Sequence, residues 1–313
     1  MVEMGDQPGS GYPAECYCIL PAADCRYGGR MRQHPNLNDR PRPINHSARM
    51  SRYCLPFLIS VPHGGTDVPP AVRPRLLLGD EDLLYYCDPA TRTVFGYRDR
   101  VAAYIDTPVS RMVVDLNRPP LPLPPRDPDG IIKTKTIDGR DVWQPGKVPD
   151  MHLIHTLLMA HYFPFHQQVD ELLDRHQVRV AFDCHSMLPR GSGMQKDAGR
   201  KRPLICLGNN GDRHGRAGKG SLATCSEAWI ATLATVFREE FSLESEVAIN
   251  NPFSGGFISN AHFWRKGIPW IQIEINRALY EDKTPVDDGN DPVLLLNERI
   301  WKVLTTFWEQ VRE

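Results

Sequence analysis

The sequence predicts a single α/β domain whose mixed, mostly parallel sheet is flanked by helices. Two observations carry that expectation. From about residue 50, short runs rich in Val, Ile, Leu and Phe alternate with longer amphipathic stretches. Several of those runs also stop in polar, ligand-capable side chains, at the carboxyl ends where open α/β sheets place their sites. The folded domain is expected over 50–313. Residues 1–49 lack a hydrophobic period, are rich in Pro, Gly, Asn and Arg, and are expected to form a disordered extension.

The first strand is Leu55–Val61. It ends in Pro62-His63-Gly64-Gly65-Thr66-Asp67, where two glycines allow a sharp turn or a close approach to a ligand. Residues 72–104 read as mostly helical, interrupted at Cys87-Asp88-Pro89. Asp88 before a proline has the pattern of a helix N-cap, so a ligand role would come in addition to capping. Val109–Asn117 is a further apolar run and a second expected strand, leaving through Arg118-Pro119-Pro120. A long Pro- and Gly-containing loop, 119–149, is of the kind that is functional or mobile. A helix over 150–177 opens at Asp150 and is expected to kink at Pro164. Its His155, His161 and His166 do not form an i,i+4 pair and read as structural.

The run 178–186, VRVAFDCHS, is the expected central strand. Side chains alternate across a strand, so Asp183 and His185 share one face and Cys184 points to the other. That geometry disfavours a Cys184/His185 nucleophile pair. It favours His185 as a metal ligand or base with Asp183 beside it. Further strands are expected at 203–208, 245–250 and 270–277, and helices at about 222–241 and 291–312. In the strand 270–277, Gln272, Glu274 and Asn276 alternate with isoleucines. A carboxylate in so apolar a strand needs a reason, because burying it unpaired is costly.

Composition narrows the function classes. A net charge of −1 gives no basic footprint for nucleic acid or an anionic membrane. No apolar run approaches the ~18–20 residues that span a bilayer, and the N-terminus lacks the order of a secretory signal. The eight cysteines include no CxxC pair, which speaks against a structural zinc site and for reduced thiols in a cytoplasmic protein.

The strand ends together carry His63, the Asp115-Asn117-Arg118 group, His185 and Glu274. Two His and a carboxylate make a catalytic zinc shell with an open position for water. A further Glu can act as base for that water, and an Arg can hold a substrate carboxylate. The residues point to a metal-assisted hydrolase.

ISVPHGGT, CDPAT, VVDLNRPP, HYFPFH, FDCHSM, NNPFSGGF and IQIEINRALY, in this order, closely resemble the N-formylglutamate amidohydrolase family over nearly all of 55–280. That family is related to zinc carboxypeptidases and aspartoacylase, so the resemblance implies a zinc-carboxypeptidase-like fold. It implies Zn2+, or another divalent metal, held by His63 and His185, with Glu274 activating water. Asn117 and Arg118 would bind the substrate carboxylate, with Arg277 a second candidate. The carboxypeptidase pattern has a Glu three residues after the first His, where this chain has Thr66. The third ligand is therefore assigned to Asp88, where the amidohydrolases keep an Asp, with Asp67 the alternative. The implied substrate is a small N-formyl- or N-acyl-amino acid such as N-formylglutamate. Two other readings remain: a carboxypeptidase- or peptidoglycan-amidase-like hydrolase of larger amides, and a non-catalytic module that binds acyl amino acids.

Overall fold

A computed structural model describes residues 54–219, 222–242, 246–281 and 291–312. The expected extension at 1–49 lies outside the described residues. The six strands are β1 (Leu55–Val61), β2 (Val101–Asp106), β3 (Val180–Met187), β4 (Ile205–Gly208), β5 (Val247–Ile249) and β6 (Trp270–Asn276). They form one sheet in the order β2-β1-β3-β6-β4-β5. Pairing is parallel except where β4 runs antiparallel to β6. The α/β class and the mixed, mostly parallel sheet are as expected.

The helices are α1 (Asp80–Tyr86), α2 (Thr91–Val94), α3 (Met151–Leu157), α4 (Phe163–Arg175), α5 (Glu227–Phe241), α6 (Phe257–Lys266) and α7 (Pro292–Val311). Asp150 caps α3 by accepting from the Leu153 N–H at 2.9 Å. A widened turn at Leu158–Tyr162 separates α3 from α4. The backbone stays helical through Tyr162 and Phe163, and the widened turn lies just before Pro164, where the helix must accommodate the proline's missing N–H. Among the described residues no helix is long and apolar enough to cross a membrane.

Two apolar clusters cover the sheet. On one side Phe57, Ile59, Phe182, Ile271 and Ile273 pack against α5 and α7. On the other, Leu58, Ala181 and Trp270 join residues of α1, α3 and α4. β1, β3 and β6 each feed both clusters, because their side chains alternate.

Two expectations are corrected, and one helix is added. Val101–Asp106 overlaps the end of the stretch read as helical but is an edge strand, its Val101, Ala103 and Ile105 buried at period two. Parallel pairing with β1 overrides the helical preference of its two alanines. Val109–Asn117 is not a strand: β1 already has neighbours on both sides, so the run folds into turns beyond the sheet's carboxyl edge. There the Ser110 carbonyl accepts from the N–H groups of both Val113 and Val114. Helix α6 was not foreseen. It follows Gly255-Gly256, a pair that reads as loop until the chain packs against Asn117.

Candidate active site

Adjacent parallel strands bring their carboxyl ends to one edge, and β1, β3 and β6 are neighbours in the sheet. His63 lies two residues beyond β1, while His185 and Glu274 stand opposite one another in the β3–β6 register. On β3, Asp183 and His185 share a face and Cys184 enters the apolar cluster behind it. Asp88 reaches the same point from the turn after α1. A close approach at this edge depends on Gly65, where a Cβ would stand 2.2 Å from the Pro108 carbonyl.

His63, Asp88 and His185 are all buried, and one ligand atom from each lies within 4.8 Å of the other two. The Asp88 carboxylate is 3.0 Å from His185 Nδ1 and 3.5 Å from His63 Nδ1. It does not cap α2, whose N-cap is Ala90 in a left-handed conformation. Asp67 is exposed and does not join the two histidines.

Each imidazole is fixed from behind by a carboxylate. His63 Nε2 lies 2.7 Å from Asp115 Oδ1, and His185 Nε2 lies 3.0 Å from Asp183 Oδ2. A proton on each Nε2 leaves both Nδ1 lone pairs aimed at the space beside Asp88. Buried His63 Nδ1 has no hydrogen-bond partner. An orphaned, desolvated acceptor is what a metal would satisfy, and two nitrogens plus a carboxylate oxygen suit zinc. The donor set therefore fits a divalent metal.

Charge around the histidines is dense. Burial alone would raise the Asp115 carboxyl, but Lys133, His63 and Arg111 together hold it well below the usual carboxylate range. Asp88 is likewise lowered against burial by His185, His63 and Arg111. His185 is raised against burial by Asp183, Asp88 and Glu274, so the environment asks for positive charge there. A bound dication answers the same demand. Glu274 moves the other way: burial pushes its carboxyl up to about 7, against the pull of His185. A carboxyl poised near neutrality suits proton transfer. Its Oε1 accepts from the Gln272 amide at 2.8 Å. The neighbouring carboxylates Asp88 and Asp183 also push it up.

A cavity of about 140 Å³ opens beside these groups, and Asn117, Arg118 and Arg277 line it as well. The Asn117 amide donates to Asp183 Oδ2 at 2.8 Å, and its oxygen accepts from the Ile258 N–H at 2.8 Å. Gly256 makes room for this, since a Cβ there would stand 2.3 Å from the Asn117 side chain. Arg118 donates from Nε to the Asp129 carbonyl at 2.8 Å and from its terminal nitrogen to Asp129 Oδ2 at 2.5 Å. Arg277 donates to the carbonyls of Tyr85, at 2.8 Å, and of Cys87. It thereby braces the turn that presents Asp88.

Arg111, Lys133 and Arg202 also line the cavity, and none was singled out from sequence. Arg111 lay inside the run taken for a strand. Lys133 lay in the long loop, which proves to be a packed wall with Ile131, Ile132, Val142 and Trp143 buried. The Trp143 indole donates to the Lys133 carbonyl at 2.6 Å. Arg202 is gripped by Asp197 through two bonds of 2.7 and 3.0 Å. His166 bonds the Leu116 carbonyl and His262, which accords with the structural reading.

Known proteins resemble this chain in sequence and in fold. A family model described as N-formylglutamate amidohydrolase matches residues 55–281. The N-formylglutamate deformylase of Pseudomonas aeruginosa is 28% identical over 238 residues, covering 73% of this chain and 83% of that protein. The corresponding enzyme of Pseudomonas putida is 26% identical over 240 residues, covering 74% and 83%. The crystal structure of an N-formylglutamate amidohydrolase from Ralstonia eutropha JMP134 superposes with a TM-score of 0.63 at 19% identity. That superposition covers 84% of this chain and 96% of the other. A protein from Agrobacterium tumefaciens superposes with a TM-score of 0.58 at 20% identity, covering 82% and 92%. At these identities the two structures speak for the fold.

Proposed function

This chain belongs to the N-formylglutamate amidohydrolase family and is a hydrolase of amide bonds, and from that premise we propose that it removes the formyl group from N-formylglutamate or a closely related N-acyl amino acid. The observation that carries this reading is the buried His63–Asp88–His185 group facing a cavity with Glu274 at its side. A divalent metal such as zinc, held by those three residues, would polarise the scissile carbonyl and acidify water.

The chain's own groups then have distinct tasks. Glu274 takes a proton from water as the water oxygen attacks the formyl carbon. As the C–N bond breaks, that proton passes to the departing nitrogen, and formate and the free amino acid leave. Asp115 and Asp183 hold the two imidazoles in the tautomer that presents Nδ1. Arg111, beside Asp88, is placed to stabilise negative charge developing on the carbonyl oxygen.

N-formylglutamate carries two carboxylates, and the arginines lining the cavity suit a dianion. We assign carboxylate contacts to Arg118 and Arg277. We give Asn117, whose amide is engaged on both sides, the task of locking Asp183 against α6. The unpaired cysteines Cys54, Cys87, Cys184, Cys206 and Cys225 accord with a reducing compartment such as the cytoplasm.

The decisive experiment is metal analysis of the purified protein together with a deformylase assay, repeated on Glu274→Gln. The variant should keep its metal and substrate affinity while kcat falls by about 10²–10⁴. Loss of metal in this variant would make Glu274 a ligand instead of the base. A metal-free protein without deformylase activity would return the chain to the class of binding modules.

A further inference from the structure

The cations that line the cavity differ in how firmly they are held. Arg202 is buried at 3% side-chain exposure and gripped by Asp197. Arg111 is tied to Asp115 at 3.0 Å. Arg118 is different. Its side chain is 35% exposed, and the carboxylate it holds, on Asp129, is 49% exposed. That same carboxylate also meets the Lys133 ammonium through Oδ1. All three residues line the cavity. A carboxylate thus sits between an arginine and a lysine at the edge of a space suited to an anionic substrate.

We propose that Asp129 is a specificity-determining residue whose carboxylate occupies the seat of a substrate carboxylate and is exchanged for it on binding. The inference rests on the proposed acyl-amino-acid substrate and names how its charge is met.

Backbone geometry makes the exchange possible without losing the cations. The Asp129 carbonyl accepts from Arg118 Nε at 2.8 Å and from Lys133 Nζ at 3.3 Å. These bonds do not involve the side chain, so both cations stay in place when the carboxylate turns away. The Arg118 carbonyl accepts from the Tyr162 hydroxyl at 2.9 Å, which pins the backbone of that residue too. Swinging out frees the terminal nitrogen of Arg118 and a face of the Lys133 ammonium. The half-exposed carboxylate is readily solvated on leaving, its pair with the partly exposed Arg118 contributes little net stability, and the buried Lys133 ammonium keeps Asp115 as a partner at 3.0 Å. Arg202 and Asp197, 3% and 19% exposed, form a less accessible pair than Arg118 and Asp129 and would cost more to open. The device also selects by charge. A neutral amide cannot replace the lost ion pair, whereas a carboxylate replaces it in kind.

The test uses the full-length, metal-loaded protein and its Asp129→Asn and Asp129→Ala variants. Steady-state kinetics are measured on N-formylglutamate and on its neutral diamide, and glutarate binding is measured by titration calorimetry. Removing the internal competitor should lower KM for N-formylglutamate and tighten glutarate, each by about three- to fivefold, the scale of an exposed ion pair. KM for the diamide should not follow. The gain should vanish in an Arg118→Ala background, where no fork is left to liberate. Unchanged or weaker binding of both dicarboxylates in both Asp129 variants would overturn the proposal and make Asp129 a brace for the cations. Glutarate binding reports on the seat without turnover. A protein that binds glutarate in this pattern but does not deformylate would therefore keep this inference and lose the proposed reaction.

Discussion

The two faces of the central sheet are made by the same strands and are equally dry, yet they do opposite things. One face presents Phe57, Ile59 and Val61 from β1, Val180, Phe182 and Cys184 from β3, and Ile271, Ile273 and Ile275 from β6. The other begins with Leu58, Ala181 and Trp270 and then turns polar, with Ser60, Asp183, His185, Gln272, Glu274 and Asn276 all buried. The apolar face needs only to exclude water, so its residues are constrained by volume. Each group on the polar face needs partners, because an unpaired buried charge is costly. Some of those partners lie on the sheet itself, Asp183 for His185 and Gln272 for Glu274, and others come from outside it, Asp88 after α1 and Asn117 from the turns beyond β2. The contrast teaches that burial in this protein serves stability on one side and shifts charge equilibria on the other.

Substitutions can break or sharpen this contrast. The largest effect is expected on the polar face. His185→Ala should abolish metal content and deformylase activity together, as read by metal analysis and assay of the same sample. Near-stoichiometric metal in that variant would remove His185 from the donor set. On the opposite face of the same strand, Phe182→Ala should cost about 3–5 kcal/mol of stability in denaturant titration. The fraction still folded should keep its metal and its turnover. If Phe182→Ala instead lost metal without losing stability, the division between the faces would not hold. The smallest effect concerns a residue behind the site. Asp183→Asn preserves shape but weakens the hold on His185 Nε2, so metal affinity should fall by about 10- to 100-fold. Competition with a chelator of known affinity measures this directly, and an unaltered affinity would show that Asn117 alone suffices to orient the ring.

Much of this was legible from sequence, for local reasons. Val180–Met187 and Trp270–Asn276 alternate so regularly that both the strands and the side-chain faces could be read from them. His63, His185 and Glu274 stood out because each is a polar group ending or interrupting an apolar run. Asp88 was harder. Its sequence context is that of a helix cap, and only its 3.0 Å approach to His185 shows that the carboxylate is spent elsewhere. Arg118 was read as an open fork for substrate, and its engagement with Asp129, eleven positions further on, has no periodic signature.

By itself, then, the sequence determined the class of fold, the carboxyl edge as the place of the site, and the residue types able to do metal-assisted hydrolysis. These follow from hydrophobic period and from the cost of burying charge, which act over a few residues. The tertiary structure decided which carboxylate joins the two histidines, which carboxylates stand behind them, and which cations are already occupied. It also decided that Val109–Asn117 would turn beyond the carboxyl edge instead of joining the sheet, because both edges of β1 were already paired. Such choices depend on partners distant in the chain, as with Asp88 and His185 or Asn117 and Ile258. A spacing pattern cannot encode a contact whose existence depends on where the whole sheet places its ends.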